Sequence, residues 1–402
     1  MLINTIIRRL HNLWHIIKIL TRTHLYRMNI QMVDLLSQYQ HIENEINAGI
    51  QEVINTSSFI NGPKVNEFAK SLETYLNVRH VIPCGNGTDA LQIALMAIGL
   101  KPGDEVIVPA FTYVANAEVI GLLGLTPVMV DVDYLSFNVT LSNLRKALSF
   151  KTKAIIPVHL FGQSCDMKPI MDFANEHSLY VIEDNAQAIG ARYKFPDGIS
   201  MHTGTIGHIG CTSFFPSKNL GCYGDGGAIM TNDDELAERL QMIANHGQKK
   251  KYHHDIIGCN SRLDSIQASI LNTKLKHLDE YNKARYEAAQ YYSINLNDIE
   301  GIIIPAEMSF STHVYHQYTL KVKKGKRDEL KKILADAGIP SMIYYPLPLN
   351  EQIAFSNISR IAESLSVSTE LCSSVLSLPI HTELSREEQD YIIETIKTFF
   401  IN

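Results

Sequence analysis

One lysine of this chain stands in a setting that an ordinary solvent-exposed lysine does not need. Lys218 lies within TSFFPSKNLGCYGDGGAI, residues 212–229, between a short aromatic run that reads as a strand and a turn rich in glycine. The hydroxyl groups of Thr212, Ser213 and Ser217 are close to it in sequence. An amine whose pKa is lowered by burial can form a Schiff base with an aldehyde, so Lys218 is a candidate nucleophile.

A pair of carboxylates follows a predicted buried strand. In LYVIEDNAQAIGA, residues 179–191, an apolar run ends at Glu183 and Asp184. Open α/β folds bind ligands at the carboxyl edge of a parallel sheet, which is where such a strand delivers its last side chains. The alternative is that the pair caps the following helix, and this segment by itself does not decide between the two.

A third segment has the features of an anion site. CGNGTDALQIAL, residues 84–95, places glycines immediately before an apolar helical pattern. The free amides of a first helical turn and the helix dipole attract a phosphate, to which Thr88 adds a hydroxyl. The same residues also make an ordinary turn and helix cap. Neither a GxxxxGK[ST] loop nor a GxGxxG fingerprint is present in the sequence, which argues against the two commonest alternative phosphate sites.

Together these features provide the minimum set of groups that is needed to bind pyridoxal phosphate. The amine of Lys218 can hold the aldehyde, the carboxylate of Asp184 can pair with the protonated ring nitrogen, and the helix start near Thr88 can hold the phosphate. The three features occur in a plausible order along one sheet. The sequence therefore predicts pyridoxal phosphate as the cofactor.

The elements that would position these residues follow an α/β pattern. From about residue 78, short Val- and Ile-rich runs alternate with helical segments, which indicates a parallel sheet covered on both faces. Residues 260–292 read as one long amphipathic helix. We predict an α/β fold with a large domain at 28–275, whose mostly parallel sheet is sandwiched by helices, and a smaller C-terminal α+β domain at 276–402.

The overall composition excludes several other classes of protein. The 402 residues include 36 Lys and Arg and 42 Asp and Glu, and the net charge of −6 argues against a nucleic-acid binder. The six cysteines are scattered without a CxxC pair, so they predict neither a disulfide framework nor a metal site. We interpret them as reduced thiols of a cytoplasmic protein.

The first 27 residues differ in character from the rest. Residues 1–27 are basic and lack acidic side chains, but charges interrupt the apolar positions before they reach the length of a membrane span. We interpret them as an extension outside the domain that begins at Met28, and we expect no membrane interaction. A basic amphipathic helix on a membrane surface is the alternative.

Five segments of the chain resemble the DegT/DnrJ/StrS-type nucleotide-sugar aminotransferases, in the aspartate-aminotransferase superfamily of pyridoxal-phosphate enzymes. The resemblance extends from about Met28 to the C-terminus and leaves out residues 1–27. The segments are PCGNGTDALQIAL, VIVPAFTYVANAEVI, VIEDNAQAIGA, GCTSFFPSKNLGCYGDGGAIMTND and GCNSRLDSIQASIL.

The resemblance assigns roles around the cofactor ring. It implies that Lys218 is the catalytic Schiff-base lysine and that Asp184 pairs with the pyridine nitrogen. Gln187 would donate a hydrogen bond to the ring oxygen, and Tyr113 would stack on the ring. Core packing for Tyr113 and a helix-surface position for Gln187 are the alternatives.

The resemblance also implies contacts to the phosphate and the sugar. Four residues of this subunit would hold the phosphate, and Asn260 would reach it from the second subunit of a homodimer. Arg262 would reach toward the substrate, although an ion pair with Asp264 is the alternative. The phosphate residues are Gly87, Thr88, Asp89 and Ser213. Further candidate substrate groups are His313, His316 and Tyr345, whereas Asn350 stands where the family usually has histidine.

The function that the resemblance implies is transamination. An amino group would move from an amino acid, by family likeness L-glutamate, to a keto group of a nucleotide-linked sugar. The segment YHHDIIGCNSRLDSIQASIL most resembles enzymes that act at C3 of the sugar, which favours C3 as the position that receives the amino group. The product would serve the synthesis of a surface polysaccharide such as lipopolysaccharide. One alternative is a sugar dehydratase on the same scaffold, in which histidine replaces the lysine. A non-catalytic regulatory protein that binds the cofactor or a sugar nucleotide is the other.

Overall fold

The computed structural model describes residues 28 and 30–401, so the predicted extension 1–27 lies outside the described residues. The largest element is an eight-stranded sheet, whose strands in spatial order are β1 (His80–Cys84), β9 (Gly227–Thr231), β8 (Ile209–Ser213), β5 (Tyr180–Asp184), β4 (Thr152–Ile155), β2 (Glu105–Pro109), β3 (Thr126–Val130) and β14 (Arg360–Ile361). The pairs from β8 to β14 are parallel, and only β9 runs against the others because it is antiparallel to both β1 and β8. The prediction of a mostly parallel sheet is therefore confirmed.

The strands are short, and most of those in the large sheet are buried on both faces. In chain order they are β1 (His80–Cys84), β2 (Glu105–Pro109), β3 (Thr126–Val130), β4 (Thr152–Ile155), β5 (Tyr180–Asp184), β6 (Arg192–Lys194), β7 (Ser200–His202), β8 (Ile209–Ser213), β9 (Gly227–Thr231), β10 (Gln248–Lys250), β11 (His253–His254), β12 (Ile302–Ile303), β13 (Tyr318–Val322), β14 (Arg360–Ile361) and β15 (Val375–Leu378).

The α-helices cover the sheets. In chain order they are α1 (Leu35–Thr56), α2 (Pro63–Leu76), α3 (Gly87–Ala97), α4 (Ala115–Leu122), α5 (Leu141–Ala147), α6 (Met167–Glu176), α7 (Asp234–Ala244), α8 (Ser265–Leu275), α9 (Leu278–Leu296), α10 (Arg327–Asp336), α11 (Ser366–Ser374) and α12 (Arg386–Ile401).

Helices lie on both faces of the large sheet, as its apolar strands require. One core layer contains Leu91 of α3, Ile120 of α4 and Leu240 of α7, all buried against strand residues such as Val106 and Ile182. A second layer on the other face is built around Leu144 of α5 and Ile170 of α6, with Phe173 and other buried side chains. Burial of these side chains removes apolar surface from water and stabilises the layered fold.

The C-terminal part forms a second, smaller unit of mixed structure. Its antiparallel sheet has the order β12-β13-β15 and packs against α9, α10 and α12 through a core that includes Tyr292, Leu320, Leu334 and Ile392. This agrees with the predicted smaller α+β part. The boundary at 275/276 stays a prediction, and β14, from beyond that boundary, pairs in parallel with β3 of the large sheet.

One predicted helix is in fact two. The segment 260–292 was predicted to be continuous, but α8 ends at Leu275 and α9 begins at Leu278, with His277 at φ −103° and ψ 0° between them. The two helices bury their apolar faces in different places, Leu271 of α8 beside α2 and Ala289 of α9 in the smaller unit. A straight helix cannot reach both cores, so the chain bends between them.

The fold places the three chemically interesting segments at one edge. Since β1, β5 and β8 run in the same direction, their carboxyl ends lie together. Asp184 is the last residue of β5, α3 begins three residues after β1, and Lys218 lies on the connection between β8 and β9. Among the helices of the described residues, none is long and apolar enough to cross a membrane.

Candidate active site

A cavity of about 440 Å³ opens at this edge of the sheet. That volume lies within the range of small-molecule and cofactor sites. Predicted site residues that line it are Gly87, Thr88, Tyr113, Asp184, Gln187, Ser213, Lys218, His316 and Tyr345. The cavity thus brings together most of the residues that the sequence singled out.

Lys218 lies on the cavity wall in an environment that disfavours its charge. Burial lowers the pKa of Lys218 to about 8, and the nearby negative charge of Asp184 only partly offsets this effect. Removal from water penalises an ammonium ion, whereas a neighbouring carboxylate stabilises it. With a pKa of about 8, roughly a tenth of the amine is unprotonated at pH 7, far more than for an ordinary lysine, and the unprotonated form is what a nucleophile or proton carrier needs.

The carboxylate of Asp184 is held from two sides. Its Oδ2 accepts a hydrogen bond from Nδ2 of Asn116 at 2.8 Å, and its Oδ1 accepts one from the amide of Ala186 at 3.0 Å. The amide of Asp184 in turn donates to the carbonyl of Pro157 at 2.9 Å, and Asp184 is only 7% exposed. The last side chain of β5 is thus fixed in both backbone and carboxylate.

Glu183, the other member of the acidic pair, has a different position. Its side chain is fully buried and accepts a hydrogen bond from Nε2 of His159 at 2.7 Å. It also accepts from three backbone amides, those of Gly204, Ile206 and Gly207. Because neighbouring strand residues point to opposite faces, Glu183 anchors the loop before β8 while Asp184 lies at the cavity.

The start of α3 supplies amides to the cavity. Gly87 and Thr88 line the cavity in the first turn, where the amides have no intrahelical acceptor. A Cβ at position 87 would lie 2.7 Å from Cβ of Ser213, so the helix begins this close to β8 only because residue 87 is glycine. The helix start and Ser213 form one wall that suits an anion.

Asp89 does not line this cavity. Its amide, which was predicted to contact the phosphate, donates to Oδ1 of Asn86 at 2.8 Å. Its carboxylate accepts a hydrogen bond from Ser261 at 2.6 Å, and the same hydroxyl accepts from the amide of Gly85 at 2.9 Å. The geometry therefore places Asp89 behind the loop that carries the anion wall, with a cap and a loop contact as its partners.

An aromatic and amide cluster forms another wall. Nε2 of Gln187 donates to the hydroxyl of Tyr345 at 3.1 Å, and its Oε1 accepts from the amide of Phe161 at 2.7 Å. The rings of Tyr113 and Tyr345 lie 6.3 Å apart, and Tyr113 is 54% exposed at the cavity. These contacts leave the face of Tyr113 available to a flat ligand.

The two predicted histidines have different surroundings. His316 is buried on the cavity wall, where burial and the nearby charges of Lys218 and Arg285 hold its pKa well below the usual range. His313 does not line the cavity: its ring stacks on Tyr315 at 3.7 Å, its Nδ1 accepts from the amide of Tyr315, and burial lowers its pKa to about 3. His313, three residues before His316 in the chain, is buried with its ring against Tyr315 and is not among the residues that line the cavity.

Asn260 and Arg262 also lie outside this cavity. Asn260 is exposed and forms an isolated bridge with Asn245. Arg262 lines a separate surface depression together with Asn61 and Glu73. Residues on an outer face can complete the site of another subunit but not the cavity of their own chain.

Sequence reasoning missed several residues of the site. Asn116 holds Asp184 but lies near the start of an apolar helical pattern, where only its polar side chain distinguished it from its neighbours. Phe161, Asp225, Gln317 and Tyr344 also line the cavity. Asp225 lies in the segment of Lys218, and Gln317 and Tyr344 adjoin predicted residues, but nothing in the local pattern set these three apart, and Phe161 lies outside every segment that the sequence singled out.

No group of three or more metal-ligating side chains that could hold an ion occurs within the part of the chain that the structure describes. The polar groups of the cavity are the amine of Lys218, the carboxylates of Asp184 and Asp225, the imidazole of His316, and several amides and hydroxyls. This donor set suits an organic anion with an aldehyde and a ring nitrogen.

Proteins similar to this chain include enzymes of sugar metabolism. UDP-2-acetamido-2-deoxy-3-oxo-D-glucuronate aminotransferase of Pseudomonas aeruginosa is 44% identical over 88% of this chain and 96% of its own length. The pleiotropic regulatory protein of Geobacillus stearothermophilus is 45% identical over 93% of this chain and 99% of its own length.

Solved structures agree with these similarities. A DegT DnrJ EryC1 StrS aminotransferase from Brucella abortus superposes with a TM-score of 0.88, at 43% identity, over 93% of this chain and 100% of the other. The ntda protein of Bacillus subtilis, solved with bound cofactor PMP, has a TM-score of 0.83 and 32% identity over 92% of this chain and 83% of the other.

A family model matches nearly the whole described chain. The match covers residues 40–397 and therefore includes both the large sheet and the smaller C-terminal unit. It agrees with the resemblance inferred from the sequence segments and with the geometry of the cavity. The chain belongs to the DegT/DnrJ/EryC1/StrS aminotransferase family.

Proposed function

We propose that this protein is a pyridoxal-phosphate-dependent transaminase that moves an amino group from an amino acid to a keto group of a nucleotide-linked sugar. The observation that carries the proposal is the single cavity lined by Lys218, Asp184 and the start of α3. The names of its relatives support the substrate class, since one of them is an aminotransferase for a UDP-linked 3-oxo sugar acid.

The residues of the cavity fit the cofactor. Amides of Gly87 and Thr88 with the hydroxyl of Ser213 would hold the phosphate, and Asp184 would hold the ring nitrogen. When bound, pyridoxal phosphate supplies an aldehyde that condenses with amines and a ring that accepts electrons. The close approach of residue 87 to Ser213 leaves the anion wall free of any side chain at that position.

Side chains of the cavity provide proton transfer, negative charge and orientation of the cofactor ring. Lys218 carries a proton to and from the reacting carbon, for which a pKa of about 8 is well matched to neutral pH. Asp184 would supply a carboxylate partner for the ring nitrogen, and Tyr113 and Gln187, which line the same cavity, would limit how the ring lies. His316 lines the cavity and, because its pKa is held well below the usual range, its neutral ring adds no positive charge near Lys218.

The finer features of the proposal concern substrates and assembly. We propose L-glutamate as the donor of the amino group and C3 of the sugar as the position that accepts it. We also propose that Arg262 donates two hydrogen bonds to a carboxylate of the sugar. Asn260 is exposed, Arg262 is half-buried in a separate surface depression, and neither lines the cavity of its own chain, which supports a homodimer in which they complete the partner's site. We place the enzyme in the cytoplasm, in the synthesis of amino sugars for a surface polysaccharide such as lipopolysaccharide.

The test of the function is a spectrum followed by a substrate panel. Protein loaded with pyridoxal phosphate is expected to absorb in the near-visible range, and L-glutamate is expected to bleach this band. The reverse reaction is then run with UDP-, dTDP- and GDP-linked amino sugars that carry the amine at C3 or C4. A band that no amino donor changes would instead favour the non-catalytic alternative.

The uptake of the cofactor is expected to depend on pH through Lys218. Because burial lowers the pKa of Lys218 to about 8, the rate of capture should rise about tenfold per pH unit below that value and level off above it. The measurement is stopped-flow absorbance of apoprotein mixed with pyridoxal phosphate from about pH 6 to about pH 10. A small free amine, treated in the same way, corrects for titration of the cofactor. A rate that still rises tenfold per unit above about pH 9 would contradict the lowered pKa.

A further inference from the structure

We propose that Asn116 is a positioning residue that fixes the carboxylate of Asp184 toward the cofactor ring. The inference rests on the proposed function, because it assigns a role for Asn116 in that same site. Asn116 does not line the cavity and is fully buried, so it acts through Asp184 and not on the ligand itself.

The two hydrogen bonds to Asp184 determine its orientation. Nδ2 of Asn116 donates to Oδ2 at 2.8 Å, while the amide of Ala186 donates to Oδ1 at 3.0 Å. Rotation of the carboxylate about its last bond would break both contacts. With one donor on each oxygen, the remaining lone pairs have a fixed direction relative to the strand end.

The amide oxygen of Asn116 gives a second reason to connect the orientation of this side chain with Asp184. Oδ1 of Asn116 is buried and has no hydrogen-bond partner among the described residues. The second contact of Nδ2, to the hydroxyl of Thr112, is long at 3.5 Å. A buried carbonyl without a donor costs stability, and an apolar side chain of the same size would avoid this cost. Flipping the amide would place Oδ1 against the carboxylate, so Asp184 dictates the orientation observed.

The position of Asn116 in the fold links this contact to the ring wall. Asn116 is the second residue of α4, and Tyr113 lies just before the helix on the cavity wall. The same helix start therefore places an aromatic ring at the cavity and an amide donor behind the carboxylate. Loss of the Asn116 amide would leave Asp184 with only the Ala186 donor on its carboxylate, without removing any residue that lines the cavity.

The test compares two variants of Asn116 with a matched control. Asn116→Leu removes the donor at similar volume, and Asn116→Asp replaces it with a second carboxylate that would share a proton with Asp184. Gln389→Leu is the control, because Gln389 is a buried amide that donates to the carbonyl of Ala288, and neither of these two residues lines the cavity.

We expect the two Asn116 variants to change the bound cofactor. The Kd for pyridoxal phosphate should rise roughly tenfold or more, and kcat with L-glutamate should fall by roughly tenfold to a hundredfold with little change in KM. The absorption maximum of the bound cofactor should also move, because its ring nitrogen loses a fixed partner. Gln389→Leu should lower the melting temperature without any of these changes.

The outcomes separate this inference from the proposed function. If the wild-type protein binds the cofactor and both Asn116 variants keep its Kd, spectrum and kcat, the positioning role is overturned and the function stands. A wild-type protein that takes up no pyridoxal phosphate overturns both together. A melting curve of each apoprotein shows whether the variant is folded, and the isosteric Asn116→Asp change supplies the result if Asn116→Leu does not fold.

Discussion

Replacing Lys218 by alanine is expected to abolish covalent capture of pyridoxal phosphate and to lower the transamination rate by roughly 10⁴-fold. The amine is the nucleophilic group that we assign to the aldehyde and also the group that we assign to proton transfer, so one substitution removes both contributions. The rate is measured with L-glutamate under single-turnover conditions. Borohydride reduction followed by peptide mass spectrometry locates the adduct in the wild-type protein.

The chain contains a good control for this result. Lys274 is 1% exposed, burial lowers its pKa to about 8, and its ammonium group lies 5.2 Å from the ring centre of Tyr223. A lowered pKa alone therefore does not distinguish it from Lys218, but it does not line the cavity. Lys274→Met should keep the reducible adduct at position 218. An adduct on Lys274 would show that burial and not the cavity selects the reactive lysine, and would contradict the assignment.

The second large effect is expected at Asp184. Asp184→Asn keeps the size of the side chain but removes the negative charge, and we expect kcat to fall by roughly 10²- to 10³-fold. A carboxylate at Asp184 would keep the ring nitrogen of the bound cofactor protonated, which is the state in which the ring accepts electrons. The measurement is kcat for the reaction with L-glutamate together with the spectrum of the bound cofactor.

Its neighbour Glu183 provides the contrast. Glu183→Gln is expected to lower the free energy of unfolding by about 2 kcal/mol, because a buried amide group would then face backbone donors that now bind a carboxylate. The donors are His159 and the amides of Gly204, Ile206 and Gly207. The folded fraction should keep most of its activity. If Glu183→Gln lowered kcat as much as Asp184→Asn and left the stability unchanged, the structural role assigned to Glu183 would be wrong.

The local sequence singled out three groups that the structure brings together in one cavity. Lys218, Asp184 and the helix start at Gly87 each lie in a segment whose pattern predicts its structure, and the order of strands and helices predicts a parallel sheet. Parallel strands place their carboxyl ends at one edge, so sequence order alone implied that these groups would meet. The break between α8 and α9 was not predicted, because both halves have apolar helical patterns and only their different packing partners separate them.

Only the tertiary structure decided which residues of similar type contribute to the site. His313 and His316 are three residues apart, yet one stacks on Tyr315 in the core and the other lines the cavity. Asp89 and Asn116 likewise owe their roles to partners that are distant in sequence, Ser261 and Asp184. A residue type and its local pattern determine what a side chain can do, since hydrogen-bonding capacity and backbone preference are local properties. Which group it meets depends on packing between segments far apart in the chain, and that is fixed only when the whole core forms.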